Sequence, residues 1–140
     1  MAAASLPLHE RVAVTRATLD RFAGKPFGFG TCDCGLMVIS HLKAMGWPIR
    51  TGGTWKTATA LKRFLNRHGG SGAACIDGWG LPRIAPSEVI VGDIVEMKGE
   101  PPFGAFGVAL GNGRVMAFHE AAPGIAVLQP TEPPLSAWRV

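Results

Sequence analysis

The chain is 140 residues long, 47% hydrophobic and 17% charged, which suits one domain with an ample apolar core and excludes a disordered chain. Its net charge of +4 is mild, and Lys56, Lys62, Arg63 and Arg67 read as the solvated face of a helix rather than a phosphate track, so no nucleic-acid partner is expected. No apolar run is long enough to span a bilayer, and Met1-Ala2-Ala3-Ala4-Ser5 lacks the basic flank and apolar stretch of a secretion signal, so folding in the cytosol is expected.

The first half reads as helices. Leu8, Val12, Thr15, Leu19 and Phe22 recur at spacings of four and three, the stripe of an amphipathic helix that Gly24 and Pro26 then stop. A glycine-rich turn, Gly28-Phe29-Gly30-Thr31, leads into an apolar segment over residues 35–45. With Leu36, Met37, Val38, Ile39, Leu42 and Met45 on most of its faces, that segment is expected to be the buried central helix. A third helix is expected over 54–68, capped by Thr54, with Trp55, Ala58, Leu61 and Leu65 inward and Gly69-Gly70 at its end.

From Ile84 onward helical periodicity gives way to prolines, glycines and β-branched residues. Strands are expected at 93–97, 105–110, 114–118, 125–128 and 137–140. Gly111-Asn112-Gly113 marks a hairpin, since such turns need positive φ. Helices followed by strands argue for an α+β domain over residues 1–140, with N-terminal helices packed on a small antiparallel sheet.

Three cysteines, two of them at positions 32 and 34, give no disulfide framework. Cys34 falls where the central helix begins, beside unpaired N–H groups and the positive end of the helix dipole, both of which favour a thiolate. The competing reading is a small buried hydrophobe, and the local pattern leaves the two level. A zinc site from Cys32, Cys34, Cys75 and His41 or His68 is disfavoured, because structural zinc uses cysteines separated by about two to four residues; no metal and no cofactor is expected. Trp55 and Trp138 read as core, whereas Trp79 is the best candidate for an exposed aromatic.

Gly24-Lys25-Pro26-Phe27, Gly30, Asp33-Cys34, Gly92-Asp93-Ile94-Val95, Phe106-Gly107-Val108-Ala109-Leu110-Gly111 and Trp138-Arg139-Val140, in that order, resemble a family of small phage and prophage tail proteins. That family is similar in turn to the NlpC-type cell-wall cysteine peptidases. The resemblance implies a reduced papain-like fold. It makes Cys34 of the Asp33-Cys34 pair the nucleophile position and Gly92-Asp93 a structural landmark. The position of the histidine base falls on Ala105, a departure from the enzymes that leaves His119 as the one candidate to replace it. What this implies is a virion component of the tail tip that contacts other tail proteins through a peptidase-like fold with a degenerate site. The alternative is an active peptidase or amidase acting on host peptidoglycan, with Cys34 as nucleophile and His119 as base. The proline-rich loops at Pro101-Pro102 and Pro133-Pro134 are expected edges for protein contacts.

Overall fold

The computed structural model describes residues 6–118 and 124–140. Four helices come first: α1 (Leu8–Phe22), α2 (Cys34–Ala44), α3 (Ala58–Arg67) and α4 (Gly72–Gly78). Six strands follow: β1 (Arg83–Ile84), β2 (Ile94–Met97), β3 (Ala105–Gly111), β4 (Arg114–Phe118), β5 (Ile125–Leu128) and β6 (Ser136–Trp138). They form an open antiparallel sheet in the order β1-β6-β2-β3-β4-β5, so the α+β expectation holds. Among the described residues no helix is long and apolar enough to cross a membrane.

The period-two alternation of the strands decides what each face buries. Trp138, Ile94, Val108 and Met116 lie in register across four neighbouring strands, each 0% exposed, and share one core with α2, α3 and α4. The opposite face carries Val95, Val115, Ala117 and Ala137 in a smaller cluster. The β3–β4 hairpin turns on Asn112 (φ 54°) and Gly113 (φ 73°), the left-handed pair that a tight antiparallel hairpin requires.

Helix α1 keeps Thr15, Leu19 and Phe22 of its expected stripe inward, but its first turns depart from it. Leu8 is 63% and Val12 47% exposed, while Arg11, Thr15 and Thr18 are the buried positions. The cause is a partner 82 residues away. Asp93 is fully buried and accepts from Arg11 Nη2 (2.7 Å), Arg139 Nε (3.0 Å), Ile90 N (3.0 Å) and Val140 N (3.0 Å). Arg11 also donates to the carbonyls of Val91 and Val140. A buried carboxylate needs such donors, and they draw the arginine inward at the expense of Leu8 and Val12. Beside this network His41 is clamped between Thr18 Oγ1 (2.8 Å) and the Gly92 carbonyl (2.9 Å), joining α1, α2 and the entry to β2.

The third helix begins at Ala58, not near Thr54, because Thr57 is its cap and accepts from Ala60 N. Trp55 is core as expected, but it sits in the preceding loop. Helix α4 falls in a stretch to which the sequence analysis assigns no element. Its Ser71 cap was visible, but the Gly69-Gly70 pair before it masked so short an element.

Candidate active site

The turn before α2 is closed by Gly28 and Cys32, whose backbones bond in both directions (2.9 and 2.8 Å). Gly30 has φ 77°, and a Cβ there would lie 2.2 Å from the Trp55 carbonyl oxygen, so both conformation and packing require glycine. Asp33 then caps α2. One carboxylate oxygen accepts from Leu36 N (2.8 Å), the other from Gly30 N (2.9 Å) and Trp55 Nε1 (2.7 Å). The carboxylate is only 2% exposed, so its acceptor capacity is spent on holding the turn, the helix start and the tryptophan together.

That scaffold sets Cys34 in the first turn of α2, as expected from the sequence. The electrostatic outcome differs from a simple helix-dipole argument. Burial pushes the Cys34 thiol above its ordinary value, against the backbone hydrogen bonds of Phe106, Cys34 and Gly35, which favour a thiolate, and with the Asp33 charge adding to the rise. Desolvation wins because the sulfur borders a cavity walled by Val38, Ile39, Leu65, Ile76 and Phe106. The other two thiols are likewise raised by burial, Cys75 to about 11 and Cys32 against the pull of Lys25.

The residues singled out in the sequence do not all converge here. Asp33 and Cys34 do. Asp93 lies at the far end of α2, where the Gly92 carbonyl meets His41, about 10 Å along the helix from Cys34. Ala105 pairs with Met97 and lines a groove with Lys98 and Leu128 on the other face of the sheet. Phe106, one residue out of phase, is the strand residue beside Cys34. His119 lies outside the described residues. Of the described histidines, His9 is exposed on α1, His41 is bonded to Thr18 and Gly92, and His68 donates to the Phe64 carbonyl (2.8 Å) while stacking on the Phe64 ring. Among the described residues no group of three His, Cys, Asp or Glu is placed to hold a metal ion.

Three contributors to this site went unread in the sequence. Phe106 and Cys75 line the cavity from β3 and α4. Trp79, expected to be exposed, is half-buried in the same wall. Nothing local marks them, since each reaches the site through a contact between elements distant in the chain. Comparison of the sequence with curated proteins gives no match. Residues 8–140 match the family described as a domain of unknown function, DUF6950, and the chain belongs to that family.

Proposed function

We propose that this chain is a structural and interaction subunit of a phage or prophage tail tip, built on a reduced papain-like scaffold of the NlpC type whose cysteine site has lost its peptidase role. It would act in the virion through contacts with other tail proteins. The observation that carries the reading is the surroundings of Cys34: at the nucleophile position of that scaffold stands a half-buried cysteine on an apolar cavity, and burial pushes its thiol above the ordinary value. Its strand neighbour is the phenyl ring of Phe106, and the adjacent carboxylate is committed to capping. Papain-like acyl transfer needs a thiolate and a proton donor for the leaving amine, and a retired site needs neither.

The test is the pH dependence of Cys34 alkylation by iodoacetamide, read by peptide mass spectrometry so that Cys32 and Cys75 are scored separately. The expected inflection lies above the ordinary thiol value of about 8.5. In the parent phage, Cys34→Ala is expected to assemble tails and infect normally. An inflection well below neutrality, or loss of infectivity with intact tails, would establish an active nucleophile instead. The backbone hydrogen bonds of Phe106, Cys34 and Gly35 favour that second reading, a peptidase acting on peptidoglycan, because donors at that place would stabilise an anion during acyl transfer. His119→Ala then separates the two: it abolishes peptidoglycan cleavage in the enzyme and changes nothing in the structural subunit.

A further inference from the structure

Between Asp33 and Asp77 the chain has no acidic residue, while Lys43, Arg50, Lys56, Lys62, Arg63 and Arg67 fall in the same stretch. All six of these cations are exposed. The ion pairs of the described residues, Arg11 and Arg139 with Asp93 and Arg83 with Asp77, use none of them. The cations concentrate on α3. Leu61, Phe64 and Leu65 are its buried side, and the helical period turns Thr59, Lys62, Arg63, Asn66 and Arg67 outward over one arc of about 140°. Solvated helix faces gain from opposite charges at i, i+4 spacing. Here Arg63 and Arg67 hold that spacing with like charges. Lys56 stands just before the Thr57 cap, at the positive end of a helix with no acid in its first turn. Both arrangements are unfavourable in the isolated fold, and an outside anion relieves them.

We propose that the outer face of α3 docks an acidic segment of another protein, one that presents carboxylates at the i, i+4 spacing of Arg63 and Arg67. Other anions fit the face less well. An anionic bilayer is gripped by cations beside exposed apolar side chains, and the large exposed apolar residues among those described, Leu8, Val12, Phe27, Ile90, Val127 and Leu135, all lie off α3. Duplex nucleic acid is held through about 6–10 phosphates, more than the cations of a helix about 15 Å long can reach. Trp47, Trp55 and Phe64 of the same stretch are buried, so none is free to stack on single-stranded bases. A second copy of this chain supplies no matching pair. Glu10 and Asp20 of α1 are separated by roughly three turns, Asp77 is taken up by Arg83, and Glu96 and Glu100 have Lys98 between them. Docking on α3 depends neither on Cys34 nor on incorporation into a tail.

The experiment follows the backbone amide resonances of the full chain at low salt during titration with three probes. They are an alanine-based helical peptide carrying glutamate at every fourth position, its glutamine counterpart, and a short DNA duplex. The glutamate peptide is expected to move the amides of Lys62, Arg63 and Arg67 saturably and to lose affinity as salt rises, whereas the glutamine peptide leaves them in place. Joint reversal, Lys62→Glu with Arg63→Glu and Arg67→Glu, is expected to weaken the glutamate peptide about tenfold or more. The same variant is expected to gain binding of the corresponding lysine peptide, which a misfolded chain would not show at those positions. The wild-type titration decides the matter even if that variant fails to fold. Wild-type amides unmoved by the glutamate peptide, or moved equally by the glutamine peptide, overturn the proposal. Tighter binding of the duplex at the same amides and the same salt also overturns it, since the face would then be a phosphate surface.

Discussion

Lowering the pH from 7 to 5 attacks the fold at His41. The imidazole is fully buried, and burial lowers its pKa from 6.5 to about 4, with Arg11 and Arg21 adding to the fall and the hydrogen bond to Gly92 opposing it. A neutral ring that donates its Nε2 proton to the Gly92 carbonyl has a bare Nδ1, so the Thr18 hydroxyl donates to it. The folded state therefore binds fewer protons than the unfolded chain at any pH between the two values. Stability is full above the unfolded value and is lost as pH falls towards the folded one. With 6.5 and about 4 as the two values, linkage removes about 2 kcal/mol between pH 7 and pH 5, and about 3 kcal/mol by pH 4.

The assay is urea unfolding followed by tryptophan fluorescence at pH 7, 6 and 5, a window that lies above most carboxylate titration. His41→Gln is expected to be less stable than wild type at pH 7, because the clamp to Thr18 is lost. Its stability is expected to fall far less on acidification, so the wild type and variant converge near pH 5. Parallel curves would refute the reasoning, since the ring would then not be the group that resists protonation.

Thr18→Val leaves the bare Nδ1 of His41 buried without a donor, and the expected loss in the same urea assay is about 1–3 kcal/mol at pH 7. Asp33→Ala removes the α2 cap and the acceptor for both Trp55 and Gly30; a loss of about 3 kcal/mol is expected, together with an altered environment of Trp55 in fluorescence. Arg11→Met strands part of the Asp93 charge and should cost about 3 kcal/mol, while a double-mutant cycle with Asp93→Asn should show coupling above about 1 kcal/mol. Gly72→Ala would bring a methyl group to 2.4 Å from the Phe106 ring and 2.6 Å from the Phe103 carbonyl oxygen; the expected cost is about 1–3 kcal/mol, with faster alkylation of Cys34 as the ring is displaced.

How far the sequence could be read depends on where the deciding interaction lies. The β3–β4 hairpin is set by two adjacent residues, Asn112 and Gly113, and β4 and β5 were legible to the residue because each is a short apolar run that follows a glycine, a local signal. The start of α2 was legible for the same reason: Asp33 caps its own helix three residues on. The inward turn of Arg11 in place of Leu8 and Val12 was not, because it is chosen by Asp93, a group that periodicity cannot see.

The same division runs through Cys34 itself. Its place at the mouth of α2 follows from neighbours in the chain, and the dipole and backbone hydrogen bonds that favour a thiolate come with that place. The burial that raises its pKa comes from elsewhere in the chain: Phe106, Trp79 and side chains of α3 wall the cavity that Cys34 borders. Helix-end effects are worth about 0.3–1 kcal/mol, up to about 2 in partly buried settings, whereas burial of an ionised group shifts its pKa by up to about 3–5 units, each unit about 1.4 kcal/mol. A nucleophile at a helix start is therefore only as reactive as the side chains packed around it allow. Here the larger of the two effects points towards a neutral thiol.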